Sequence, residues 1–217
     1  MKTLLIATRN RHKVGEIRAI LGETFSLLTL EDFPDAPAVR EDADTFAGNA
    51  ALKAEALARW LVTTPGALET LGAAANAWVL ADDSGLEIDA LGGAPGVHSA
   101  RFAALDSGAE GNSSDAANNA KLLKLLAAIP SAPRTARFRC VIALAPVRGV
   151  DPTLFFEGAC EGRIEAAPRG QGGFGYDPLF VPNGFTQSFA ELGEETKNRI
   201  SHRSQALARM REGFAAG

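Results

Sequence analysis

The stretch Trp78-Val79-Leu80-Ala81-Asp82-Asp83-Ser84-Gly85 decides the fold, because in it an apolar strand leads directly into two acidic residues. The first four residues predict a buried β-strand, and Leu86 to Ala90 predicts that a strand resumes after the acidic turn. Two adjacent carboxylates at a strand end repel each other, which suits a structural role poorly. They do suit a hard cation bound through oxygen, with substrate phosphates as further ligands. An Asp-rich turn without a ligand is the alternative.

Strand and helix patterns alternate on both sides of this stretch. Apolar residues recur at helical spacing up to Gly22, and Asp44 or Thr45 can cap a second helix. Residues 63–76 are rich in Gly and Ala and predict an exposed connection. The remaining predicted elements are strands over residues 3–7, 25–30, 137–145 and 154–164 and helices over 115–128 and 201–210, with the last two strands as an antiparallel pair. The fold class is therefore α/β, with a mixed β-sheet and flanking helices.

Length and composition set the limits on function. The 217 residues suffice for a single domain over residues 1–217, either compact or divided into two lobes around a cleft. A net charge of −4 argues against bulk nucleic-acid binding, while a small anionic ligand needs only local donors. The first apolar run is too short for a signal peptide and none can span a bilayer, so we expect a cytoplasmic protein whose Cys140 and Cys160 are buried free thiols.

The polar turn Thr8-Arg9-Asn10-Arg11-His12-Lys13 lies between the first strand and the first helix. Free backbone N–H groups and the positive end of a helix favour phosphate at such a turn, and these side chains add donors. The glycines of a P-loop are missing, so a solvated turn is the alternative. Taken alone, this turn leaves both interpretations open.

The acidic loop from Arg40 to Asp44 precedes a helix that carries Asn49 and Lys53. These two residues are four apart and therefore share a helix face. With Glu41 they could complete a metal–phosphate site, although a charged surface loop is the plainer explanation.

A Gly-rich segment near the carboxyl end offers an aromatic surface. Glycines on both sides of Phe174 leave a face of its ring available to stack on a planar base. Lys197, His202 and Arg203 add donors just before and at the start of the predicted last helix. We name the polar segment Thr8–Lys13 the phosphate turn. A purine nucleoside triphosphate with magnesium would use the phosphate turn, the acidic residues and this aromatic segment together.

In these motifs the chain closely resembles the inosine triphosphate pyrophosphatase family, the Ham1-like non-canonical purine NTP pyrophosphatases. The similarity runs from Leu4 to about Ala208. It is carried by Thr8-x-Asn10-x-x-Lys13, Thr45-Phe46 with Asn49-Ala50 and Lys53, Ala81-Asp82-Asp83-Ser84-Gly85-Leu86, Gly92-Gly93-Ala94-Pro95-Gly96, Gly173-Phe174-Gly175-Tyr176-Asp177-Pro178 and Ser201-His202-Arg203. Arg9 stands where many relatives have glycine, which adds a cation near the phosphates.

The resemblance implies a homodimer, a mixed sheet in two lobes around a deep substrate cleft, and hydrolysis of ITP, dITP or XTP to the monophosphate and pyrophosphate. It further implies a role for each matching residue. Thr8, Asn10 and Lys13 would hold the phosphates, Glu41 and Asp83 would hold Mg²⁺, Asp83 would act as general base, Ser84 would contact the substrate, Asp82 would support them, and Phe174, Gly175, Tyr176, Asp177, Lys197, His202 and Arg203 would line the base pocket. Lys53 is placed, with Lys13, to offset charge on the leaving group.

Two other functions compete with this one. A Maf-like nucleotide pyrophosphatase would share the reaction with a different base preference, but the Phe174–Asp177 and Ser201–Arg203 motifs speak against it. A regulatory module that binds the nucleotide without turnover would have little use for the paired carboxylates Glu41 and Asp83.

Overall fold

The computed structural model describes residues 1–71, 77–106, 108 and 111–215. The strands are β1 (Thr3–Ile6), β2 (Ser26–Thr29), β3 (Ala77–Ile88), β4 (Thr135–Pro146), β5 (Leu154–Ile164) and β6 (Phe180–Pro182). The α-helices are α1 (Arg11–Leu21), α2 (Phe46–Thr63), α3 (Ala67–Thr70), α4 (Asp115–Ala127), α5 (Phe189–Ile200) and α6 (His202–Ala215), and short 3₁₀ helices lie at Asp89–Leu91, Gly96–Arg101 and Ala104–Asp106. Within these described ranges, no helix is long and apolar enough to cross a membrane.

The sheet is mixed, as the sequence predicts. Its six strands lie in the order β2-β1-β3-β4-β5-β6. β1 runs parallel to β2 and to β3, with Ile6 opposite Leu80, whereas β5 and β6 are antiparallel. Because β1 and β3 are parallel neighbours, the residues that follow Ile6 and Leu80 leave the pairing at the same edge. The phosphate turn after β1 and the acidic pair Asp82-Asp83 of β3 therefore lie next to each other.

The chain divides into two compact units. Unit 1 comprises Met1–Asp83, Cys140–Gly158 and Arg203–Gly217, and unit 2 comprises Ser84–Arg139 and Ala159–His202. In unit 1, Asn10 is the N-cap of α1, and its side chain accepts hydrogen bonds from the N–H groups of His12 and Lys13. Gly22, with φ of 56°, is the C-cap of the same helix. Its buried residues Ile17 and Leu21 pack in a core with strand residues from β1, β3 and β4 and with α6.

Unit 2 has its own core, which is rich in aromatic rings. The ring of Phe138 lies 4.8 Å from Phe180 and 6.1 Å from Phe189, measured between centroids. Leu86 and Ile88 of β3 are fully buried in the same cluster. Gly162 of β5 fits closely against β6, since a Cβ atom there would lie 2.4 Å from the carbonyl oxygen of Val181 and 2.6 Å from the Phe180 ring.

Several sequence predictions are confirmed. Thr45 caps α2 by accepting from the N–H of Gly48, and Cys140 and Cys160 are buried free thiols. The predicted connection over residues 63–76 contains the short helix α3, and its residues 72–76 lie outside the described part of the chain.

Other boundaries were predicted wrongly. β3 runs without interruption through Asp82 and Asp83, so the two carboxylates lie within a strand and not at its end. β6 and α5 were missed, and α6 begins at His202. Lys197 consequently lies inside α5, and Arg203 lies in the first turn of α6. The signal for α5 is a capping box, in which Ser188 and Glu191 bond each other's backbone N–H groups.

We expect Gly162→Ala to lower the free energy of unfolding by about 2 kcal/mol, because the new methyl group meets backbone and ring atoms that cannot withdraw cheaply. Gly15→Ala is the matched control: it lies within α1 with open space around its Cβ position, and should raise stability by about 0.5 kcal/mol. Urea unfolding measures both. Equal stability of the two variants would show that the β5–β6 contact is not tight.

Candidate active site

Asp82 is the most enclosed charged group of unit 1. Its side chain has no solvent exposure and lies within β3. Lys13 Nζ donates to Oδ1 at 2.5 Å, Arg203 Nε donates to Oδ2 at 2.9 Å, and Cys140 Sγ donates to Oδ2 at 3.0 Å. Arg203 also pairs with Glu16 of α1. One carboxylate thus ties β3 to β4, α1 and α6.

The charges around Asp82 determine its protonation. Burial favours the neutral acid, but the charges of Arg203 and Lys13 outweigh it and hold the pKa of Asp82 well below its usual range. Burial, with the charge of Asp82, raises the pKa of the Cys140 thiol well above its usual range. At neutral pH Asp82 is therefore an ionised anchor, and Cys140 is a protonated donor to it.

Asp83 faces a different set of partners. Lys53 Nζ lies 2.9 Å from Asp83 Oδ1, 2.7 Å from Glu41 Oε2 and 2.9 Å from the carbonyl oxygen of Asp82. The Asn49 amide approaches Asp83 Oδ2 at 3.4 Å, and its own oxygen accepts from the N–H of Ala43. The face shared by Asn49 and Lys53, predicted from their spacing, thus joins the acidic loop to β3.

Burial and the charge of Lys53 shift the pKa values of the two carboxyl groups in opposite directions. Burial raises the pKa of Asp83 to about 6 against the opposing charges of Lys53 and Lys13, and a hydrogen bond with Glu41 adds to the rise. For Glu41, burial also disfavours the charge, but Lys53 outweighs it and the pKa of Glu41 is lowered. Burial would lower the pKa of Lys53, yet Asp83 and Glu41 raise it. On acidification, Asp83 takes up a proton before Glu41 does.

The phosphate turn lies beside Asp82 because of the parallel pairing of β1 and β3, and the N–H of Ala7 bonds the carbonyl of Leu80 at 2.7 Å. Thr8 Oγ1 accepts from the N–H of Asn10 at 3.2 Å, and Asn10 caps α1. The Arg9 guanidinium donates to the carbonyl of Ala36 at 2.6 Å. Of the predicted phosphate donors, Lys13 is fixed by Asp82, while Thr8 and Asn10 shape the turn.

The aromatic segment of unit 2 is built around a second lysine–carboxylate pair. Lys197 Nζ lies 2.6 Å from Asp177 Oδ2 and 4.4 Å from the centroid of the Phe174 ring. The same carboxylate oxygen accepts from the N–H of Phe174 at 2.9 Å. Tyr176 donates its hydroxyl to the carbonyl of Ser99, and burial raises the pKa of that phenol. His202 stacks on Phe138 at 4.8 Å.

The structure collects the predicted residues into two groups, one in each unit. Unit 1 brings together Thr8, Asn10, Lys13, Glu41, Lys53 and Asp83, and unit 2 brings together Phe174, Gly175, Tyr176, Asp177, Lys197 and His202. Ser84, half-buried, follows Asp83 in β3. Arg203 was predicted with the base pocket, but its guanidinium pairs with Asp82 and Glu16 in unit 1, so its contact with a base stays a prediction.

Sequence analysis missed Glu16 and Cys140 as partners in this network. Glu16 pairs with Arg203, which lies 187 residues away, so its spacing on α1 does not predict this contact. The pairing of Arg203 with Asp82 spans 121 residues and has no local sequence signal.

We expect Asp82→Asn to lower the free energy of unfolding by about 3 kcal/mol, because it deprives the buried Arg203 and Lys13 of their shared counter-charge. Asp42→Asn is the matched control, since Asp42 pairs with Arg40 at the surface, and should change stability by less than about 0.5 kcal/mol. Chemical denaturation at neutral pH measures both. If Asp82→Asn leaves the free energy of unfolding almost unchanged, the buried network does not stabilise unit 1.

Comparison with known proteins identifies the family of this chain. Residues 4–213 match the profile of the Ham1 family. Curated relatives named dITP/XTP pyrophosphatase include one from Geobacillus kaustophilus, 48% identical over 98% of this chain and 94% of its own length, and one from Geobacter sulfurreducens, 48% identical over 98% and 96%.

Two solved structures share the whole fold. A HAM1 protein from Coxiella burnetii superposes with a TM-score of 0.80 at 35% identity, covering 100% of both chains. The Staphylococcus aureus Ham1 protein superposes with a TM-score of 0.77 at 35% identity, covering 100% of this chain and 99% of that one. With nearly every residue of the chain inside the matching profile, this protein belongs to the Ham1 family.

Proposed function

We propose that this protein hydrolyses non-canonical purine nucleoside triphosphates (ITP, dITP and XTP) to the monophosphate and pyrophosphate, and so cleanses the nucleotide pool. The observation that carries the proposal is the pair Glu41 and Asp83, bridged by Lys53 and lying in the same unit as Lys13 and the phosphate turn. The names of the curated relatives support the same reaction and substrates. The span of the family profile supports treating residues 1–217 as one catalytic domain.

On the phosphate side, we assign Thr8, Asn10 and Lys13 to binding of the triphosphate. Lys13 is fixed by the ionised Asp82, so its ammonium is held in position before a substrate arrives. Lys53 offsets charge on the departing pyrophosphate, and Ser84 contacts the substrate beside Asp83.

Magnesium is the cofactor we propose. The two carboxylates Glu41 and Asp83 already gather around one positive centre, the Lys53 ammonium, and oxygen donors of this kind fit a hard divalent cation. Among the residues that the structure describes there is no cluster of three or more His, Cys, Asp or Glu residues that could hold a metal by themselves. Mg²⁺ commonly takes one or two carboxylates and completes its shell with water and phosphate. When bound, it would supply charge neutralisation at the phosphates.

Asp83 is the residue we assign as general base toward the attacking water. With no metal bound, a pKa of about 6 leaves the Asp83 carboxylate mostly ionised at neutral pH, which is the form that can accept a proton. Attack on the α-phosphorus releases pyrophosphate as the leaving group. The Asn49 amide at 3.4 Å and Lys53 at 2.9 Å restrict the orientation of the Asp83 side chain.

The base pocket is assigned to Phe174, Gly175, Tyr176, Asp177, Lys197, His202 and Arg203. Inosine and xanthosine carry an oxo acceptor at the six position, whereas adenosine carries an amino donor there. A pocket of hydrogen-bond donors pairs with the oxo group and is left unpaired by adenine, a mismatch that can reach roughly 10⁴-fold in specificity. Lys197 supports this assignment, because its ammonium is already held by Asp177 over Phe174.

The homodimer, the cytoplasmic location, the central cleft and the absence of nucleic-acid binding complete the proposal and stay predictions from the sequence. The Maf-like and regulatory-module alternatives are separated from the main proposal by the panel of four triphosphates described below.

Asp83→Asn should lower kcat for ITP by about 10³-fold, because an amide cannot take the proton of the attacking water. Asp42→Asn, in the neighbouring acidic loop, is the matched control and should keep wild-type turnover. Pyrophosphate release measures kcat, and thermal unfolding checks that both variants are folded. Retained turnover in Asp83→Asn would remove Asp83 from the role of base.

The substrate prediction is tested by pyrophosphate release from ITP, XTP, ATP and GTP, each with Mg²⁺ and with excess chelator. We expect metal-dependent release that strongly favours ITP and XTP. Equal release from all four would contradict the base pocket, and a preference for other bases would favour the Maf-like alternative. Binding of ITP without release of pyrophosphate would favour the regulatory module.

A further inference from the structure

The backbone of Gly175, next to Phe174, is held at both its N–H and its carbonyl by helix α4. Asp115 Oδ2 accepts from the Gly175 N–H at 2.6 Å, and Asn119 Nδ2 donates to the Gly175 carbonyl at 3.0 Å. Asp115 and Asn119 are four residues apart, so they project from the same face of α4. We name this pair of contacts the α4 clamp.

The two side chains of the α4 clamp do not cap α4, although Asp115 lies in its first turn, where a carboxylate favours the helix dipole. Capping of α4 is done by Ser114, whose hydroxyl accepts from the N–H of Ala117. Asp115 is exposed and Asn119 is half-buried, so neither fills the core of unit 2. Within the described part of the chain, the side-chain hydrogen bonds of Asp115 and Asn119 both go to the Gly175 backbone, which points to a role in that loop.

The helix that carries the α4 clamp is itself fixed. Asn118, buried in the same turn, accepts from the N–H of Ala103 and donates to the carbonyl of Ala100. The carbonyl of Ser99, in the adjoining 3₁₀ helix, accepts a hydrogen bond from the Tyr176 hydroxyl. The segment Gly96–Ala103 therefore anchors both α4 and the residue that follows Gly175, which makes α4 a rigid support.

Phe174 is consequently fixed from both sides along the chain. Before the ring, its own N–H bonds Asp177 Oδ2 at 2.9 Å, and after it, the α4 clamp holds the Gly175 peptide. Gly175 has φ of 63°, a left-handed conformation that determines the direction in which the chain leaves Phe174. Lys197 then covers one face of the ring.

We propose that Asp115 and Asn119 are positioning residues, which hold the Phe174 ring in the orientation on which a purine base stacks. The inference rests on the proposed function, because it assigns the α4 clamp to the base pocket. The α4 clamp acts through Phe174, so neither Asp115 nor Asn119 needs to contact the substrate. Stacking contacts act on binding, so loss of the α4 clamp should weaken substrate binding more than it slows chemistry.

The first test is steady-state hydrolysis of ITP. Asp115→Ala should raise KM about tenfold with kcat within about threefold of wild type, as expected for the loss of one hydrogen bond to a charged acceptor. Asp115→Asn keeps an acceptor oxygen and should recover most of the affinity. Asn119→Ala should raise KM for ITP about threefold, because it also loses a hydrogen bond to Gly175. Asn112→Ala, an exposed residue just before α4, is the control and should behave as wild type.

A double-mutant cycle shows whether Asp115 acts through the ring. In a Phe174→Ala background, Asp115→Ala should change KM by less than about twofold, because the group that it positions is gone. An undiminished tenfold effect in that background, or a fall in kcat equal to the rise in KM, would overturn the positioning role.

Amide hydrogen exchange tests the α4 clamp without any catalysis. Exchange at the Gly175 N–H should accelerate at least about tenfold in Asp115→Ala and stay near wild type in Asp115→Asn and Asn112→Ala. Unchanged exchange in Asp115→Ala would overturn the proposal. If the wild-type protein does not hydrolyse ITP, the proposed function is wrong, but the exchange measurement still shows whether the α4 clamp exists. If the wild-type protein does not bind ITP either, the role of the α4 clamp in the base pocket is overturned as well.

Discussion

The buried carboxylate of Asp82 is the constraint on which unit 1 depends. An ionised group without solvent exposure costs several kcal/mol unless its charge is compensated. Lys13 from α1 and Arg203 from α6 supply that compensation, and Cys140 from β4 adds a donor. Elements that lie 69 and 121 residues from Asp82 are thereby brought to one point of β3. This contact also holds the phosphate turn against β3, because Lys13 ends that segment in the first turn of α1.

Two adjacent aspartates acquire opposite properties because they lie in a strand. Successive side chains of a strand point to opposite faces, so Asp82 meets Arg203 and Lys13 while Asp83 meets Lys53 and Glu41. The first pKa is held well below its usual range, and the second rises to about 6. Environments that separate the pKa values of two carboxyl groups also separate their roles. In this pair, one residue is an anchor and the other is available for proton transfer.

Local signals predicted the parts of the fold that depend on local physics, such as the Thr45 cap and the end of α1 at Gly22. The spacing of Asn49 and Lys53 predicted the face that reaches Asp83. The same logic failed for β3, since polar residues indicate a turn unless distant cations neutralise them, and Arg203 is too far along the chain to be seen. It failed for α5 because Gly193, with φ of 77°, interrupts the helical pattern before Lys197.

The use of hydrogen-bond donors distinguishes the two lysines of unit 1. An ammonium group has three N–H donors, and Lys53 uses them on Glu41, Asp83 and the carbonyl of Asp82. A phosphate gains a hydrogen bond from Lys53 only when one of those contacts breaks. Lys13 has a single hydrogen bond from its ammonium, to Asp82, within the described part of the chain, so two of its donors remain for a ligand. Lys13 can therefore bind a ligand without giving up its present contact, whereas Lys53 must release one of its three contacts first.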